Sequence, residues 1–210
     1  MVARKGATPT AARGPGMIAI RGLTKRFGDQ VVLDALDLDL AEGRVTALMG
    51  PNGSGKTTLA RLLLGLAVPD AGEIRGLDDR RRAAVFQEDR LCEQLTAARN
   101  VRLVLARTTD PAAVDDALRL AGLDGETLVK PVRELSGGQR RRVAIVRALM
   151  ADADLLVLDE PFKGLDAEAK TLVMSYVRER CAGRTTLLIT HDPAEAEWFG
   201  VRPIELTRQK

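Results

Sequence analysis

The chain has 210 residues, 45% of them hydrophobic, a length and composition that suit one globular domain and exclude a disordered chain. Its 32 basic and 29 acidic residues give a net charge of +3, and it has only 4 Phe, 1 Trp and 1 Tyr. The balanced charge and the scarcity of aromatic rings predict no nucleic-acid partner, so we interpret the arginine runs at 80–82 and 140–142 as solvated faces.

The sequence predicts neither a membrane span nor a secretory signal. A bilayer span needs roughly 18–20 apolar residues, whereas the longest apolar run, around 62–68, contains Gly65 and ends at Pro69. The first 16 residues are rich in Ala, Gly, Pro and Thr and lack an apolar core, so we predict a disordered tail at 1–16. We therefore expect any link to a membrane to come through a partner protein.

Alternating strand and helix patterns predict an α/β fold with a largely parallel sheet. Leucine and aspartate alternate over residues 36–40, which is the period of a half-exposed strand and suits an antiparallel sheet at the front of the domain. Residues 44–49 are predicted to form a buried strand. Residues 55–66 are predicted to form the helix that follows it, closed by Pro69.

The middle of the chain, from about 87 to 134, is predicted to be helical. Asp110 and Pro111 suit the N-cap and the first position of a helix that runs to Ala121 and ends at Gly122. We find no internal repeat and no long coiled coil in this region.

A glycine-rich loop follows the predicted strand at 44–49 and fits the pattern G-x-x-x-x-G-K-[ST] at every defined position. Such loops turn backbone N–H groups inward around phosphate oxygens, and the following helix presents its positive end. We expect Lys56 to hold the β- and γ-phosphates of a nucleotide and the Thr57 hydroxyl to bind Mg²⁺. The candidate phosphate-binding residues are Gly50, Pro51, Asn52, Gly53, Ser54, Gly55, Lys56, Thr57 and Thr58.

Two adjacent carboxylates, Asp159 and Glu160, end a short apolar strand predicted at 155–158. Carboxylates in that position are unfavourable unless a cation or a reacting water uses them. We expect Asp159 to serve as an outer-sphere ligand of Mg²⁺ and Glu160 to act as the general base that polarises the attacking water.

A second helix start also predicts an anion site. Residues 135–139, Leu-Ser-Gly-Gly-Gln, place Ser136 at a helix N-cap with Gln139 in capping-box register, and the helix is expected to reach about Met150. Because the chain has one glycine loop, a second phosphate-binding surface on the same chain needs its own explanation.

These motifs, in this order, resemble the ATP-binding cassette ATPases, and the resemblance covers nearly the whole chain. It implies a P-loop NTPase core with an N-terminal antiparallel β-subdomain, in a single domain at 17–210 with a helical subdomain at about 88–150. It also implies a head-to-tail dimer that sandwiches two ATP, in which the glycine loop of one copy and the pentapeptide of the other close on the same γ-phosphate. The pentapeptide residues that would contact this phosphate are Ser136, Gly137, Gly138 and Gln139.

The resemblance assigns roles to four further residues. His191, which follows a strand predicted at 185–190, matches the family's switch histidine, which contacts the γ-phosphate and helps orient the water. Gln87 matches the glutamine that meets Mg²⁺ and water. Phe27 matches the aromatic residue that stacks on adenine, with packing in the core as its alternative role. Asp166 matches the loop that crosses between the two copies, although the sequence before it departs from the family's commonest form.

Residues 85–91 and 159–166 resemble those of importer ATPases of the nitrate, sulfonate and taurine group. We therefore expect the chain to drive import of a small oxyanion or sulfonate through a separate permease, with an extracytoplasmic solute-binding protein as a further candidate partner. Such a subunit lies on the cytoplasmic face of the membrane, and the isolated Cys92 and Cys181 suit a reducing compartment. The stretch 89–99 is expected either to receive a helix of the permease, with Arg90, Leu91 and Leu95 as candidate contacts, or to be plain surface of the helical subdomain.

Two alternatives remain open within the same resemblance. An export-type ATPase for lipid or lipoprotein would share the motor and differ in cargo. A soluble cassette protein of DNA repair or translation would need no permease. Repair members split these motifs with a long coiled coil and translation members carry two cassettes, and this sequence shows neither feature.

Overall fold

The computed structural model describes residues 16–207, so the predicted tail lies outside the described residues except for its last residue. The strands are β1 Ile18–Phe27, β2 Gln30–Leu40, β3 Val45–Met49, β4 Ala71–Arg75, β5 Arg82–Val85, β6 Leu155–Asp159, β7 Thr185–Ile189 and β8 Ile204–Glu205. The helices are α1 Lys56–Leu63, α2 Ala97–Arg102, α3 Pro111–Leu120, α4 Glu126–Val129, α5 Gly137–Met150, α6 Ala167–Cys181 and α7 Pro193–Trp198.

The strands form two sheets, and the predicted α/β fold is confirmed. An antiparallel sheet has the order β2-β1-β4, and a parallel sheet has the order β5-β6-β7-β3-β8. In the parallel sheet the carboxyl ends of all the strands meet at one edge, which is where ligands bind in open α/β sheets. The predicted strands at 44–49, 155–158 and 185–190 correspond to β3, β6 and β7.

Side chains of β6 point alternately to the two faces of the parallel sheet and join two different apolar cores. Leu155 and Val157 pack in a core with α1 and the antiparallel sheet. Leu156 and Leu158 pack in a core with α2, α3, α5 and α6. The sheet is therefore covered on both faces, as parallel sheets require.

The antiparallel sheet follows the predicted alternation of leucine and aspartate. In β2, Leu38 and Leu40 are buried, whereas Asp37 and Asp39 are exposed. The aspartates nevertheless make contacts on the outer face, because Asp37 accepts the Gly22 N–H at 2.7 Å and Asp39 pairs with an arginine of β1.

The helix after the glycine loop ends earlier than predicted, at Leu63 instead of residue 66. Gly65 adopts a left-handed backbone with φ 72°, and the Leu66 N–H donates to the Arg61 carbonyl at 2.8 Å. This i to i−5 bond closes the helix in the Schellman manner, so the signal for its end is the glycine and not the later proline.

The middle of the chain is less helical than predicted. Helices α2, α3 and α4 are short, and the segments 87–96 and 103–110 contain no helix. The buried Asn100 stabilises the first of these segments, because its side chain accepts the Cys92 N–H and donates to the carbonyls of Cys92, Leu95 and Thr96. A side chain that satisfies loop backbone in this way allows the loop to stay ordered without regular structure.

Two predicted helix starts are confirmed. Asp110 caps α3, accepting the Ala112 N–H at 2.9 Å. Ser136 and Gln139 form the capping box of α5, with side-chain to backbone bonds of 3.2 and 2.8 Å. Helices α2 to α5 fall inside the predicted helical subdomain, whose limits stay a prediction. No helix in the range 16–207 is long and apolar enough to cross a membrane.

The interpretation of the arginine run 140–142 as a solvated face is wrong. Arg141 is 4% exposed, and Arg142 donates to the carbonyls of Ala121 and Gly122. From the cap at Ser136, the helical period turns Arg141 onto the buried face of α5 together with Ile145. Helix register therefore outweighs the local preference of arginine for water.

Candidate active site

Four of the predicted site features converge at the carboxyl edge of the parallel sheet. The glycine loop follows β3, Gln87 lies just after β5, Glu160 directly follows β6, and His191 lies two residues after the end of β7. They border one pocket of about 630 Å³. Its lining residues are Gln30, Val32, Asn52, Gly53, Gly55, Lys56, Thr57, Thr58, Gln87, Glu160, Lys163 and His191.

The glycine loop depends on glycine for steric reasons. Gly50 has φ 147°, and a Cβ there would lie 2.2 Å from the Leu206 carbonyl oxygen. Gly55 has φ 99°, and a Cβ there would lie 2.6 Å from Leu33 Cδ2. Gly55 is also the N-cap of α1 and makes no side-chain cap bond. The first N–H groups of α1 are therefore left without a side-chain acceptor, as an anion site requires.

Lys56 folds back over this loop. Its side chain is largely buried, and Nζ donates to the carbonyl oxygens of Gly50 and Pro51 at 2.7 and 2.9 Å. Burial lowers the pKa of Lys56, while the nearby charges of Glu160 and Asp159 raise it. A partly desolvated ammonium paired with neutral carbonyls is well placed to bind a phosphate.

Only one of the two carboxylate oxygens of Asp159 accepts a hydrogen bond from a described residue. Oδ2 accepts the Thr57 hydroxyl at 3.0 Å, whereas Oδ1 is buried without a hydrogen-bond partner among the described residues. Burial raises the pKa of Asp159, and the charge of Glu160 raises it further against the opposing effect of Thr57. A cation beside Oδ1 would satisfy this oxygen and offset the desolvation, so the donors fit Mg²⁺.

The Glu160 carboxylate lies at the centre of the pocket's polar contacts. Oε1 lies 2.7 Å from His191 Nε2 and Oε2 lies 3.0 Å from Lys163 Nζ, and Gln87 lines the pocket beside this carboxylate. Burial raises the pKa of Glu160, but Lys163, His191 and Gln87 together lower it below its ordinary value. The carboxyl group is therefore held ionised, in the state that accepts a proton.

The segment that carries His191 is held by the start of α7. The Thr190 hydroxyl donates to Glu195, and the Asp192 N–H donates to the Thr190 oxygen at 3.0 Å. Lys170 bridges Asp192 and Glu195 at 2.7 Å each. The imidazole is partly exposed, so a fixed backbone carries a ring that remains open to the pocket.

Three predicted ligand-binding features lie outside the lining of this pocket. The 136–139 motif lies at the start of α5, where Ser136 and Gln139 cap the helix. Phe27 is 51% exposed, and Lys25 Nζ makes a cation–π contact with its ring at 5.4 Å. Gln30 and Val32 of the same hairpin line the pocket. Asp166 caps α6, accepting the Ala169 N–H at 2.9 Å. In the protomer these three features therefore do not border the pocket itself.

The sequence analysis missed two basic residues of the site. Lys163 contacts Glu160 directly, and its position three residues after the glutamate was a local signal for this contact. Arg141 contacts the backbone around Glu160, and the register of α5 from its N-cap was the signal that would have placed it there.

A phosphate-cradling loop after one parallel strand, with paired carboxylates at the end of another, defines a P-loop nucleotide hydrolase. Comparison with known proteins narrows this class. A family described as ABC transporter matches residues 33–163, so the chain belongs to the ABC transporter family. It is an ATP-binding domain with ATPase activity.

Curated relatives agree with this family. The chain is 47% identical over 184 residues to the aliphatic sulfonates import ATP-binding protein SsuB 3 of Paraburkholderia xenovorans, covering 87% of this chain and 73% of the relative. It is 39% identical over 205 residues to the Nod factor export ATP-binding protein I of Ralstonia nicotianae, covering 88% of this chain and 64% of the relative.

A solved structure has the same fold. It is described as the dimeric structure of a post-hydrolysis state of the ATP-binding cassette MJ0796 bound to ADP and Pi. The two chains are 27% identical with a TM-score of 0.80, over 92% of this chain and 97% of that one. This likeness confirms the predicted P-loop core with its flanking helices and antiparallel sheet.

The contact between Lys163 and Glu160 leads to a prediction about pH. Lys163→Met removes a cation that lowers the pKa of Glu160, so this pKa should rise. Because hydrolysis is lost as pH falls through the pKa of the base, the acidic limb of the kcat–pH profile should move to higher pH. Steady-state ATPase assays across pH would measure the shift.

Lys130→Met is the matched control, because Lys130 pairs with Glu126 on the exposed surface of α4, outside the pocket lining. Its profile should coincide with that of the wild type. An unshifted acidic limb in Lys163→Met, with the control also unshifted, would show that Lys163 does not act on the titrating base.

Proposed function

We propose that this chain is the ATP-hydrolysing subunit of an importer, that it works as a head-to-tail dimer around two ATP, and that it drives a separate membrane permease for a small sulfonate or oxyanion. The observation that carries the chemistry is the Glu160 carboxylate, held ionised beside His191 and Gln87 at the mouth of the glycine loop. The proposal places the subunit on the cytoplasmic face of the membrane, bound through the permease.

In this proposal the protomer's own groups hold the triphosphate. The N–H groups of the glycine loop and of the first turn of α1 donate to phosphate oxygens, and Lys56 leaves its two loop carbonyls to pair with the β- and γ-phosphates. Thr57, Asp159 and Gln87 would hold Mg²⁺. When bound, this ion would neutralise phosphate charge that develops during transfer.

Hydrolysis then depends on the carboxylate at the strand end. Glu160 accepts a hydrogen bond from the attacking water and takes its proton as the water oxygen bonds to the γ-phosphorus. Lys163, which is 70% exposed, is free to leave Oε2 as the water approaches. His191 orients the water and the γ-phosphate. Phe27, which is exposed at the end of β1, offers a ring face for the adenine.

The glycine at the start of α5 supports a second copy as the partner. A Cβ built on Gly137 meets no atom within 4 Å, and its backbone is not left-handed. The fold of one protomer therefore has no steric need for glycine at this position, although glycine disfavours a helix. A close approach by something outside the protomer explains the residue, and the nucleotide held by a second copy's glycine loop is our proposed ligand.

A separate, mainly apolar groove supports a permease partner, and its lining also includes Arg81, Arg82 and Arg147. This groove, of about 620 Å³, includes Leu66, Phe86 and Val104 in its lining, and Leu66 and Val104 are 58% and 46% exposed. Phe86 faces this groove, whereas the next residue, Gln87, lines the nucleotide pocket. We propose that an apolar helix of the permease occupies the groove. A partner there would contact Phe86, whose neighbour in the chain, Gln87, lines the nucleotide pocket with Glu160.

The cargo proposal depends on the relatives. The most similar curated proteins reported above include a sulfonate import ATP-binding protein over most of this chain, which supports a small sulfonate or oxyanion as the cargo. The similarity to an export ATP-binding protein at lower identity keeps export as the second candidate. A solute-binding protein on the outer side of the membrane would be a partner of the importer alone.

The first prediction from this proposed function concerns the base. Glu160→Gln keeps the shape and the hydrogen-bonding capacity of the side chain but removes its basicity, so kcat should fall at least about a hundredfold. ATP should still bind, and the protein should accumulate as an ATP-bound dimer. Single-turnover hydrolysis and light scattering with ATP and Mg²⁺ would measure both effects. Hydrolysis at the wild-type rate would exclude Glu160 as the base.

The second prediction concerns the dimer. Gly137→Asp should not weaken the protomer, because an acidic side chain in the first turn of a helix stabilises it by about 0.3–1 kcal/mol. The added charge should repel a phosphate arriving from another copy, so hydrolysis should fall at least about tenfold while ATP binding to the protomer persists. Thermal unfolding, ATP titration and steady-state hydrolysis separate these effects.

A mixing experiment provides the control for this prediction. Lys56→Met disables the glycine loop, so each variant alone forms two defective composite sites. A mixed dimer of Lys56→Met and Gly137→Asp regains one intact site if the loop and the pentapeptide belong to different copies. Mixing should therefore raise hydrolysis above the sum of the separate variants, and the absence of any gain would contradict the head-to-tail arrangement.

The third prediction concerns the partner. Glu160→Gln captured with ATP and Mg²⁺ from detergent-solubilised membranes of its host should bring down a multispanning permease, and Leu66→Asp in the same background should lose it because a carboxylate enters the apolar groove. Val129→Asp is the matched control, since Val129 is 73% exposed and lies outside the groove lining. Quantitative mass spectrometry of the captured proteins would measure this.

The captured proteins also decide between the candidates. A permease together with a solute-binding protein, and ATPase stimulation by that protein loaded with a sulfonate, would support import. If the Glu160→Gln protein is recovered only from the soluble fraction, with ribosomes, DNA or no partner, the transport proposal is excluded and the ATPase assignment is unaffected.

A further inference from the structure

Arg141 is a buried cation that the reaction described above does not use. It is the middle residue of the arginine run 140–142, and its side chain is 5% exposed. Its guanidinium lies between two loops at the carboxyl edge of the sheet, the one after β5 and the one after β6. Arginine is seldom buried without partners that satisfy its charge and its donors, so these contacts identify what the residue does.

The first set of contacts is with the end of β6. Nη2 donates to the carbonyl oxygens of Asp159 at 3.0 Å and Glu160 at 2.5 Å, and Nε donates to the carbonyl oxygen of Pro161 at 2.9 Å. Three consecutive carbonyls therefore turn toward one guanidinium. The planar fork of arginine can satisfy several acceptors in a fixed arrangement, which no other side chain can do.

These contacts bear on the conformation of Glu160. Its backbone is left-handed, with φ 49°, which is uncommon for a residue other than glycine. Such a conformation persists only where surrounding contacts determine it. The Glu160 N–H donates to the Ile189 carbonyl at 2.9 Å, and its carbonyl accepts Arg141. Between these two bonds the backbone is held so that the carboxylate enters the pocket beside His191.

The second set of contacts is with the loop that carries Gln87. Nη1 donates to the carbonyl oxygens of Phe86 and of Gln87, the latter at 3.3 Å, and lies 3.2 Å from Asp89 Oδ1. The partly buried Asp89 carboxylate supplies the opposite charge. One guanidinium therefore joins the backbone of Glu160 to the backbone of Gln87, and both side chains line the same pocket.

We propose that Arg141 is a positioning residue for hydrolysis, which holds the Glu160 and Gln87 backbones in register so that the base and the glutamine meet the same water. It also joins both loops to α5, whose first turn is the proposed contact with the partner's nucleotide. The inference rests on the proposed function, because it takes Glu160 as the base. Arg141 touches no reacting atom and acts through Glu160.

The test separates positioning from a general loss of structure. Arg141→Met removes every donor while keeping an unbranched apolar side chain, and we expect kcat to fall at least about tenfold, since small misplacements of catalytic groups slow reactions strongly. The KM for ATP should change less than about threefold, because Lys56 and the glycine loop are untouched. Steady-state ATPase assays measure both, and thermal unfolding confirms that the variant is folded.

A double variant tests whether Arg141 acts through the base. If it does, the loss of kcat in Glu160→Gln with Arg141→Met should be clearly smaller than the two single losses combined, because the base that Arg141 positions is already disabled. Additive losses in kcat would overturn the inference. The matched control is Arg184→Met, which removes a partly buried arginine whose partners, the carbonyls of Leu149 and Ala151, lie outside the lining of the nucleotide pocket. It should keep the wild-type kcat.

A variant that keeps the buried charge covers the case in which Arg141→Met does not fold. Arg141→Lys retains the cation but loses the fork, so we expect a folded protein with lowered kcat, unchanged KM and the same lack of additivity with Glu160→Gln. If Arg141→Lys and Arg141→Met both fold and keep the wild-type kcat, the inference about Arg141 is overturned and the proposed function is unaffected. Wild-type hydrolysis in Glu160→Gln would instead overturn the proposed base, and this inference with it.

Discussion

Two adjacent carboxylates at the end of a buried strand are the constraint on which the rest of the site depends. Asp159 and Glu160 are both largely buried, yet their pKa values move in opposite directions, because burial and Glu160 raise the pKa of Asp159, while Lys163, His191 and Gln87 outweigh burial at Glu160. Among residues 16–207 the first carboxylate therefore has no cation in direct contact, although Arg141 and Lys56 lower its pKa from nearby, whereas the second contacts Lys163. This asymmetry assigns different tasks to two neighbours of the same chemical type, one suited to a metal and the other to a proton.

The two helix starts that are proposed to bind phosphate satisfy their backbone N–H groups differently. The start of α1 has no side-chain cap, and its free N–H groups are available to a phosphate held by the same protomer. The start of α5 is closed by the capping box, in which Ser136 and Gln139 satisfy donors locally. A helix start that is already capped tolerates long exposure to water. This difference suits a loop that keeps its ligand through the cycle and a surface that meets its ligand only when two copies close.

Much of the fold and of the site could be predicted because the decisive features are local. Strand alternation in β2, the cap of α3 and the capping box of α5 depend on residues within a few positions of one another. The glycine loop is equally local, and its strand and helix appeared where the motif requires them. Asn100 and Arg141 were not predicted, because each is defined by carbonyls that lie elsewhere in the chain or in loops without periodicity. The hydrogen bonds of these two side chains can be recognised only when the helix register is known together with the loops that pack against the helix.

The loop after β5 joins the two surfaces of the domain that matter for transport. Phe86 lies on the apolar groove and Gln87 on the nucleotide pocket, so consecutive side chains point to opposite sides of one backbone. Two arginines of α5 hold this backbone through hydrogen bonds to its carbonyls. Arg141 donates to those of Phe86 and Gln87. Arg147 donates to those of Asp89 and Arg90. A loop held this firmly does not absorb a displacement locally. If the proposed permease helix moves Phe86, the displacement passes through Arg141 to the backbones of Gln87 and Glu160 together. Any factor by which this partner changes the affinity for the nucleotide is, by linkage, the factor by which the nucleotide changes the affinity for the partner.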